Sequence, residues 1–306
     1  MPFDRFMALA LYDEQAGYYR HARERVGRGA NTDFYTATTT GPIFGELIEA
    51  AAAKLLGEAA QLVDHQFVEI GTEQPGGIHA GRQHGFKAIR TLPLGHALEI
   101  EGPCVVFSNE LFDAQPCRRF VHRGGIWLEL GVQLAGDALQ ETVWAPAENA
   151  PYLPAQAPEG YRFDAPEAAV ELLRTILKQP WHGLFVACDY GKSWAELIDS
   201  TPAGTVRAYH RHQQSNDLLA RPGEQDLTCH VCWDWLQAAL LEAGCSTPQV
   251  ESQEVFLVRH AAQLLAETVQ REAAGLSSRK QALLQLIHPA HMGQKFQVLH
   301  ARRPAR

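Results

Sequence analysis

Three short apolar segments constrain the fold of this chain more than any other feature. They are Phe67–Ile70, Cys104–Glu110 and Gly183–Gly191, and each has the length of a buried strand. Segments with helical spacing of apolar residues separate them. Because buried strands that alternate with helices form layered α/β folds, the sequence predicts an α/β domain with a mostly parallel sheet.

Five stretches predict helices from apolar spacing near 3.6 residues and from their end signals. They are Pro42–Val63, Pro166–Gln179, Trp233–Ala243, Ala261–Ala273 and Ser277–Ile287.

Other segments predict strands and loops. Alternation around Gly124-Gly125 predicts a β-hairpin, Glu254–Arg259 predicts a strand, and Lys295–Arg303 predicts an edge strand that closes the chain. Residues 199–228 are polar and show no regular period, so we expect a long loop there. A second loop is expected at 145–160, which is rich in Pro and Ala.

Composition excludes several classes of protein. The net charge of −8 argues against non-specific nucleic-acid binding, which needs a basic surface. Six scattered cysteines indicate free thiols in a reducing compartment. We expect no signal or transit peptide and no membrane span, and therefore a soluble, cytoplasmic protein.

Polar residues end the predicted strands, and parallel strands would bring them to one edge of the sheet. The segments that contain these polar residues are Glu69-Ile70-Gly71, Asn109-Glu110 and Asp189-Tyr190-Gly191. In open α/β sheets ligands bind outside the carboxyl ends of the strands. The segment Glu69-Ile70-Gly71 begins a glycine-rich turn that includes Gly76 and Gly77. This turn is incomplete, because Glu73, Gln74 and Pro75 replace small residues within it.

Several segments together resemble one known family. They are "FMALALYDEQAGYY", "TDFYTATTTGPIFGELI", "VEIGTEQPGG", "SNELFDAQPCRRFV", "ACDYG", "GTVRAYHRHQQSNDLLARPGEQDLTCHV" and "HMGQKFQVLHARR". Their order is similar to that of the MidA-like family of S-adenosylmethionine-dependent methyltransferases. Mitochondrial members of that family are arginine methyltransferases that act in the assembly of respiratory complex I.

The resemblance implies a fold, a cofactor and a set of binding residues. The fold would be a Rossmann-like methyltransferase core of seven strands, with an N-terminal helical extension and long inserted loops, and the cofactor would be S-adenosylmethionine. The residues implied to contact or border the cofactor are Asp33 with Phe34, Phe44, Gly45, Glu69, Gly71, Gly77 and Asn109.

The resemblance also implies the catalytic residues Asn109, Glu110 and Asp113. Carboxylates near the methyl sulfonium favour binding of that cation. Glu110 and Asp113 could hold an arginine guanidinium by bidentate hydrogen bonds and orient its lone pair. Glu69 could accept a hydrogen bond from the ammonium group of the cofactor, while N–H groups of the glycine turn suit its carboxylate.

The segment after the glycine turn is shorter than the family pattern implies. Only 27 residues, Ile78 to Cys104, separate Gly77 from Val105, which leaves room for one strand and little else. This predicts that part of the cofactor-binding half is absent. The alternative hypothesis is therefore a degenerate methyltransferase-like binding or assembly protein that has lost the cofactor.

Each site residue also has a purely structural interpretation. Glu69 could be a structural carboxylate, the glycines a tight turn, and Asn109, Glu110 and Asp113 a helix cap. His210 with His212, and Cys229 with Cys232, have spacings that metal ligands can have, but no further ligand stands at a set spacing from either pair, so we expect no metal.

The resemblance and the patterns predict an N-terminal helical extension over 1–63. A methyltransferase-like domain is predicted over 64–306, with insertions at about 145–180 and 192–230. A protein substrate or partner is expected, without nucleic acid or membrane. We also consider a homodimer formed through the C-terminal strand or through Trp233–Trp235.

Overall fold

The structure is a computed structural model. It describes residues 1–21, 25, 27, 32–33, 37–57, 59–72, 76–272, 275 and 277–305, without the side chains of 59–61. The chain divides into two compact units. The parallel unit comprises 36–111, 173–190 and 236–306, and the antiparallel unit comprises 1–35, 112–172 and 191–235.

The α-helices within the described residues are α1 (Phe3–Tyr12), α2 (Pro42–Leu56), α3 (Glu167–Lys178), α4 (Trp194–Asp199), α5 (Trp233–Glu242), α6 (Gln253–His260), α7 (Ala262–Arg271) and α8 (Ser278–Ile287). Short turns of 3-10 helix occur at Tyr18–Arg20, Ala37–Thr40, Ala59–Asp64 and Gly77–His79, and Pro289–Gly293 forms a π-helical turn.

The strands are β1 (Gln66–Ile70), β2 (Ala88–Leu92), β3 (Gly102–Asn109), β4 (Arg118–Arg123), β5 (Ile126–Ala135), β6 (Ala138–Pro146), β7 (Arg162–Ala165), β8 (Trp181–Asp189), β9 (Gly191–Lys192), β10 (Arg207–His210), β11 (Gln213–Ser215), β12 (Asp226–Thr228), β13 (Val231–Cys232), β14 (Gln249–Ser252) and β15 (Gln297–Arg303).

The parallel unit contains a sheet in the order β14-β15-β8-β3-β1-β2. Strands β2, β1, β3 and β8 pair in parallel, and β15 pairs antiparallel with both β8 and β14. Phe67, Val106 and Phe185 on the central strands are at most 1% exposed, as expected of strands covered on both faces. The predicted mostly parallel α/β fold is confirmed.

The sheet has six strands in the described residues, one fewer than the seven that the resemblance implies. The short interval after Gly77 forms one 3-10 turn and the single strand β2 before β3 begins at Gly102. The sequence prediction that this interval holds one strand is confirmed.

The antiparallel unit contains a four-stranded sheet in the order β6-β5-β4-β7. Arg123 pairs with Ile126 across the predicted Gly124-Gly125 turn, where both glycines have the positive φ that a tight hairpin requires. Helix α1 buries Phe3, Phe6 and other apolar residues in the core of this unit.

Three predictions of secondary structure were wrong. Residues 199–228 are not one irregular loop, because β10, β11 and β12 form a small antiparallel sheet there. Residues 254–259 lie in helix α6 rather than in a strand, and the Ser252 side chain caps that helix by accepting from the Val255 N–H. Strand β15 is internal rather than at an edge, because β14 pairs with its outer side.

The two features considered for a dimer contact are accounted for by internal packing. β15 lies between two strands, and Trp233 is only 4% exposed. Trp235 packs against Tyr152. The division at residue 63 and a homodimer stay predictions. No described helix has both the length and the apolar character that a bilayer crossing demands.

Helix α2 shows how a glycine brings two elements together. Pro42 opens the helix at its first turn, and three residues later Gly45 faces the 3-10 turn Gly77–His79. A Cβ atom on Gly45 would overlap the Ile78 carbonyl oxygen, which belongs to the backbone. The close approach of α2 to this turn therefore requires glycine at position 45.

We predict that Gly45→Ala lowers the free energy of unfolding by about 1–3 kcal/mol, because the helix must shift away from Ile78. Chemical denaturation of the purified protein measures this change. The matched control is Gly275→Ala, where an added Cβ would meet no atom within 4 Å and the expected change is within about 0.5 kcal/mol. Equal stability of the two variants would contradict the prediction.

Candidate active site

Adjacent parallel strands bring the polar strand ends together at one edge of the parallel unit. Ile70 of β1 is in register with Ser108 of β3, and Asn109 is in register with Cys188 of β8. Gly71, Asn109-Glu110 and Asp189-Tyr190 therefore follow each strand at the same level. The predicted clustering of these groups is confirmed.

Gly71 leaves β1 with a φ of +82°, a conformation that favours glycine. Its N–H donates to the carbonyl oxygen of Leu92 at the end of β2, at 2.8 Å. A Cβ atom here would lie 2.7 Å from Leu111 Cδ1. Glu73, Gln74 and Pro75, which replace small residues in this turn, lie outside the described residues.

Glu69 is a buried carboxylate that connects β1 to the following turn. It is 4% exposed, and its Oε2 accepts a hydrogen bond from the Ile78 N–H at 2.9 Å. Gly77 has a φ of +53°, which favours glycine, and a Cβ added there would overlap this same oxygen unless the Glu69 side chain moved. Within the described residues, Oε1 of Glu69 is in no hydrogen bond.

Burial raises the pKa of Glu69 to about 7, and the hydrogen bond from Ile78 opposes this shift. The carboxyl group therefore changes charge near neutral pH instead of being fully ionised. A cation bound next to it would favour the ionised form.

Asn109 and Glu110 form the polar end of β3. Nδ2 of Asn109 donates to Oε1 of Glu110 at 2.9 Å, and the Glu110 N–H donates to the Cys188 carbonyl oxygen. Oδ1 of Asn109 is buried and has no hydrogen-bond partner among the described residues. A buried acceptor without a partner is costly, which makes it a candidate for contact with a ligand.

Glu110 has a φ of +52°. Residues other than glycine seldom adopt this left-handed conformation, and strain of this kind is concentrated at functional sites. Asp189, at the end of β8, is fully buried and accepts from the Tyr190 N–H through Oδ1 at 2.9 Å. Burial, together with the charges of Asp189 and Glu110, raises the pKa of the Cys188 thiol, so this edge of the sheet is acidic.

Phe44 and Gly45 lie in α2 of the same unit. Phe44 is fully buried and its ring meets that of Phe107 edge to face, with centroids 6.1 Å apart. Gly45 packs on the turn that carries Gly77. Both have structural roles, and their predicted contact with a cofactor stays a prediction.

Asp33 and Asp113 belong to the antiparallel unit. Asp33 accepts from the Tyr18 hydroxyl at 2.7 Å and from the Arg211 N–H at 2.8 Å, and it is 1% exposed. Arg211 and His212 both have positive φ, so Asp33 stabilises a strained hairpin turn. Phe34, predicted beside it, lies outside the described residues.

Asp113 is part of a cluster of tyrosines and carboxylates that the sequence did not reveal. Tyr12 and Tyr19 stack with ring centroids 5.5 Å apart, and the Tyr19 hydroxyl donates to Asp226 at 3.0 Å. Burial and then Asp226 raise the pKa of both tyrosines, and Asp113 raises them further. The segment "ALYDEQAGYY" contains both tyrosines, yet its pattern alone assigns them no role.

The residues considered as metal ligands have other partners. Nδ1 of His210 lies 3.0 Å from the Glu224 carbonyl oxygen, and Nε2 of His212 lies 3.0 Å from the Thr32 hydroxyl. Cys229 and Cys232 are buried free thiols.

Comparison with known proteins identifies relatives of this chain. Residues 44–250 match a family described as "Putative S-adenosyl-L-methionine-dependent methyltransferase". A Burkholderia thailandensis protein, a "likely methyl transferase" crystallised with S-adenosyl-homocysteine, is 26% identical with a TM-score of 0.83, over 99% of this chain and 88% of its own. An uncharacterized protein from the same organism is 25% identical with a TM-score of 0.80, over 99% and 87%. None of the curated proteins matches.

The backbone of Glu110 can be tested for strain with two substitutions that remove the same carboxylate. We predict that Glu110→Gly is more stable than Glu110→Ala by about 1 kcal/mol, because only glycine adopts this φ without a steric penalty. Thermal and chemical denaturation measure the difference.

The same pair of substitutions at Glu267, a half-buried residue inside α7, is the control. There alanine is expected to be the more stable by about 1 kcal/mol, since glycine is unfavourable within a helix. The order at position 110 must be the reverse of the order at position 267; the same order at both would refute the strain at Glu110.

Proposed function

Because this chain belongs to a family of S-adenosylmethionine-dependent methyltransferases, we propose that it is a MidA-like member that methylates arginine side chains of a partner protein. The observation that carries the proposal is the strained, acidic end of β3, where Asn109 and Glu110 meet. The assignment to arginine also follows the sequence resemblance described above.

The residues at the sheet edge fit the cofactor. Oε1 of Glu69 is in no hydrogen bond within the described residues, so it is available to accept from the ammonium group. Oδ1 of Asn109 is a buried acceptor without a partner there. Bound S-adenosylmethionine would supply an electrophilic methyl group, and its sulfonium charge suits the acidic edge. Asp33, Phe44, Gly45, Gly71 and Gly77 complete the proposed binding set.

Glu110 is proposed to hold and orient the guanidinium group of the substrate. A carboxylate and a guanidinium form two parallel hydrogen bonds, which fixes the plane of the group and the direction of attack. Methyl transfer would form one N–C bond as the S–C bond of the cofactor breaks, and the nitrogen would lose a proton. Glu110 is proposed to accept that proton, and the hydrogen bond from Asn109 Nδ2 supports this role because it holds the Glu110 carboxylate.

The tyrosine–carboxylate cluster of the antiparallel unit supports a cationic substrate independently. Stacked aromatic rings beside carboxylates favour a cation, since the ring faces and the acids are both negative. Arg25 of this chain already illustrates the preference, because its guanidinium lies 5.6 Å and 5.5 Å from the ring centroids of Tyr18 and Tyr19. Asp113, the third proposed catalytic residue, belongs to this cluster.

The alternative of a degenerate binding protein is not supported by the comparisons. The family match spans both the segment before the shortened interval and the segment after it. A relative of the same fold is crystallised with S-adenosyl-homocysteine.

We predict that Glu110→Gln lowers kcat by about 100-fold or more, because the amide can neither accept the proton nor pair with the guanidinium charge. Affinity for S-adenosyl-homocysteine should change little. Transfer of a labelled methyl group to proteins of a cell extract, followed by mass spectrometry of the modified residue, measures activity and its target.

Glu101→Gln is the matched control, because Glu101 is exposed and precedes the opposite end of β3. It should retain full activity. Methylation found only on residues other than arginine would reject the substrate assignment, and full activity of Glu110→Gln would reject the role of Glu110.

A second prediction concerns pH. The pKa of Glu69 is raised to about 7, so the carboxyl group is mostly protonated at pH 6 and mostly ionised at pH 8. Because the ammonium group prefers the ionised form, affinity for S-adenosyl-homocysteine should rise about 10-fold between pH 6 and pH 8. Calorimetric titration at several pH values measures it.

Glu69→Gln should bind more weakly and lose this pH dependence. Glu46→Gln is the control, because Glu46 is ion-paired with Arg279 and its pKa is lowered, so the wild-type dependence should be retained. A pH dependence that persists in Glu69→Gln would show that another group is responsible.

A further inference from the structure

A cluster of two histidines and one glutamate lies in the parallel unit, where β14 and β15 pair at the outer side of the sheet. Glu251, His260 and His300 each offer one ligand atom, and these atoms all lie within 4.8 Å of one another. The sequence predicts no metal site here, because the three residues are separated by up to 49 positions.

Two strands and one helix bring the cluster together. Glu251 lies on β14 and His300 on β15, where the antiparallel register pairs His300 with Gln249, two residues before Glu251. The two side chains are thus diagonal neighbours on one face. His260 is the last residue of α6, which begins directly after β14.

The distances correspond to those between ligands of one metal ion. Nε2 of His260 lies 3.0 Å, and Nε2 of His300 lies 3.3 Å, from the same oxygen, Oε2 of Glu251. Zinc binds nitrogen and carboxylate oxygen at about 2.0–2.2 Å in a tetrahedron, which places neighbouring ligand atoms roughly 3.3 Å apart. Two of the three distances between ligand atoms therefore match a zinc site, and the third, between the two imidazoles, is at most 4.8 Å, so a zinc ion can enter after the imidazoles shift towards each other.

The surroundings hold the three ligands in place. The other oxygen of Glu251, Oε1, forms an ion pair with Arg259, and such a partner fixes the orientation of a ligating carboxylate. The Phe256 ring contacts both imidazoles, with centroids 5.1 Å from His260 and 5.4 Å from His300. The imidazoles of His260 and His300 thus pack against the same Phe256 ring.

Protonation and access also suit a metal. Nδ1 of His260 is buried and has no hydrogen-bond partner among the described residues, so no such bond obliges Nε2 to carry the proton. Glu251 and His300 are buried whereas His260 is half-buried, which leaves an approach for an ion. The C-terminal end of α6 further favours positive charge.

We propose that Glu251, His260 and His300 bind one zinc ion, with the fourth position taken by water or another small ligand. The ion fastens the end of α6 to the last two strands of the sheet. Two imidazoles and one carboxylate select zinc over magnesium, which prefers oxygen ligands alone.

The experiment uses the chain of 306 residues, freed of metal with a chelator and dialysed. Calorimetric titration with zinc chloride is expected to give one ion per chain with a Kd in the micromolar range or tighter. The thermal midpoint should rise by several degrees with excess zinc. Magnesium chloride should give neither effect.

His260→Ala and Glu251→Gln are expected to weaken zinc binding at least about 10-fold. His260 is half-buried at a helix end, so its variant should fold, and circular dichroism checks this. The control is the double variant His288→Ala/His291→Ala, which removes two exposed histidines with rings 5.2 Å apart and should bind as the wild type does. Absence of zinc binding in the wild type, or equal loss in the control, would overturn the proposal.

Discussion

The candidate active site depends on the parallel pairing of β1, β3 and β8. These strands are buried on both faces, so their residues are apolar until the chain leaves the sheet. Because neighbouring parallel strands end at the same level, Asn109-Glu110 and Asp189-Tyr190 must emerge side by side. Glu69 is a carboxylate one residue before the end of the buried strand β1, and its raised pKa reflects the desolvation that this position imposes.

Elements with strong local signals could be predicted from the sequence. Helix α8 runs from Ser278 to Ile287, where apolar spacing predicts Ser277–Ile287. The central strands and the glycine hairpin were equally predictable, because a short apolar run and a Gly-Gly turn are each visible within a few consecutive residues. The motif order also predicted a family of S-adenosylmethionine-dependent methyltransferases, which the match over residues 44–250 confirms.

Features that depend on distant parts of the chain could not be predicted. Strand β14 is short and polar, and it is a strand because β15 offers it a partner. The segment at 254–259 has strand-like composition, but the Ser252 cap and the burial of Phe256 and Leu257 decide for a helix. The tyrosine–carboxylate cluster joins Tyr19 to Asp226, 207 positions apart. The spacing of apolar residues within one segment cannot indicate contacts between segments so far apart in the chain.

The shortened interval has a smaller consequence for cofactor binding than its length suggests. In a doubly wound sheet with strand order 3-2-1-4-5-6, the ligand binds where the order reverses, beside strand 1. Here the order β2-β1-β3-β8 retains the strands on both sides of that point, and the missing strand is the one beyond β2. The Gly71 N–H still donates a hydrogen bond to the Leu92 carbonyl oxygen at the end of β2. The shortening thus removes the outer edge of the sheet and leaves intact the strand ends that the proposed cofactor site requires.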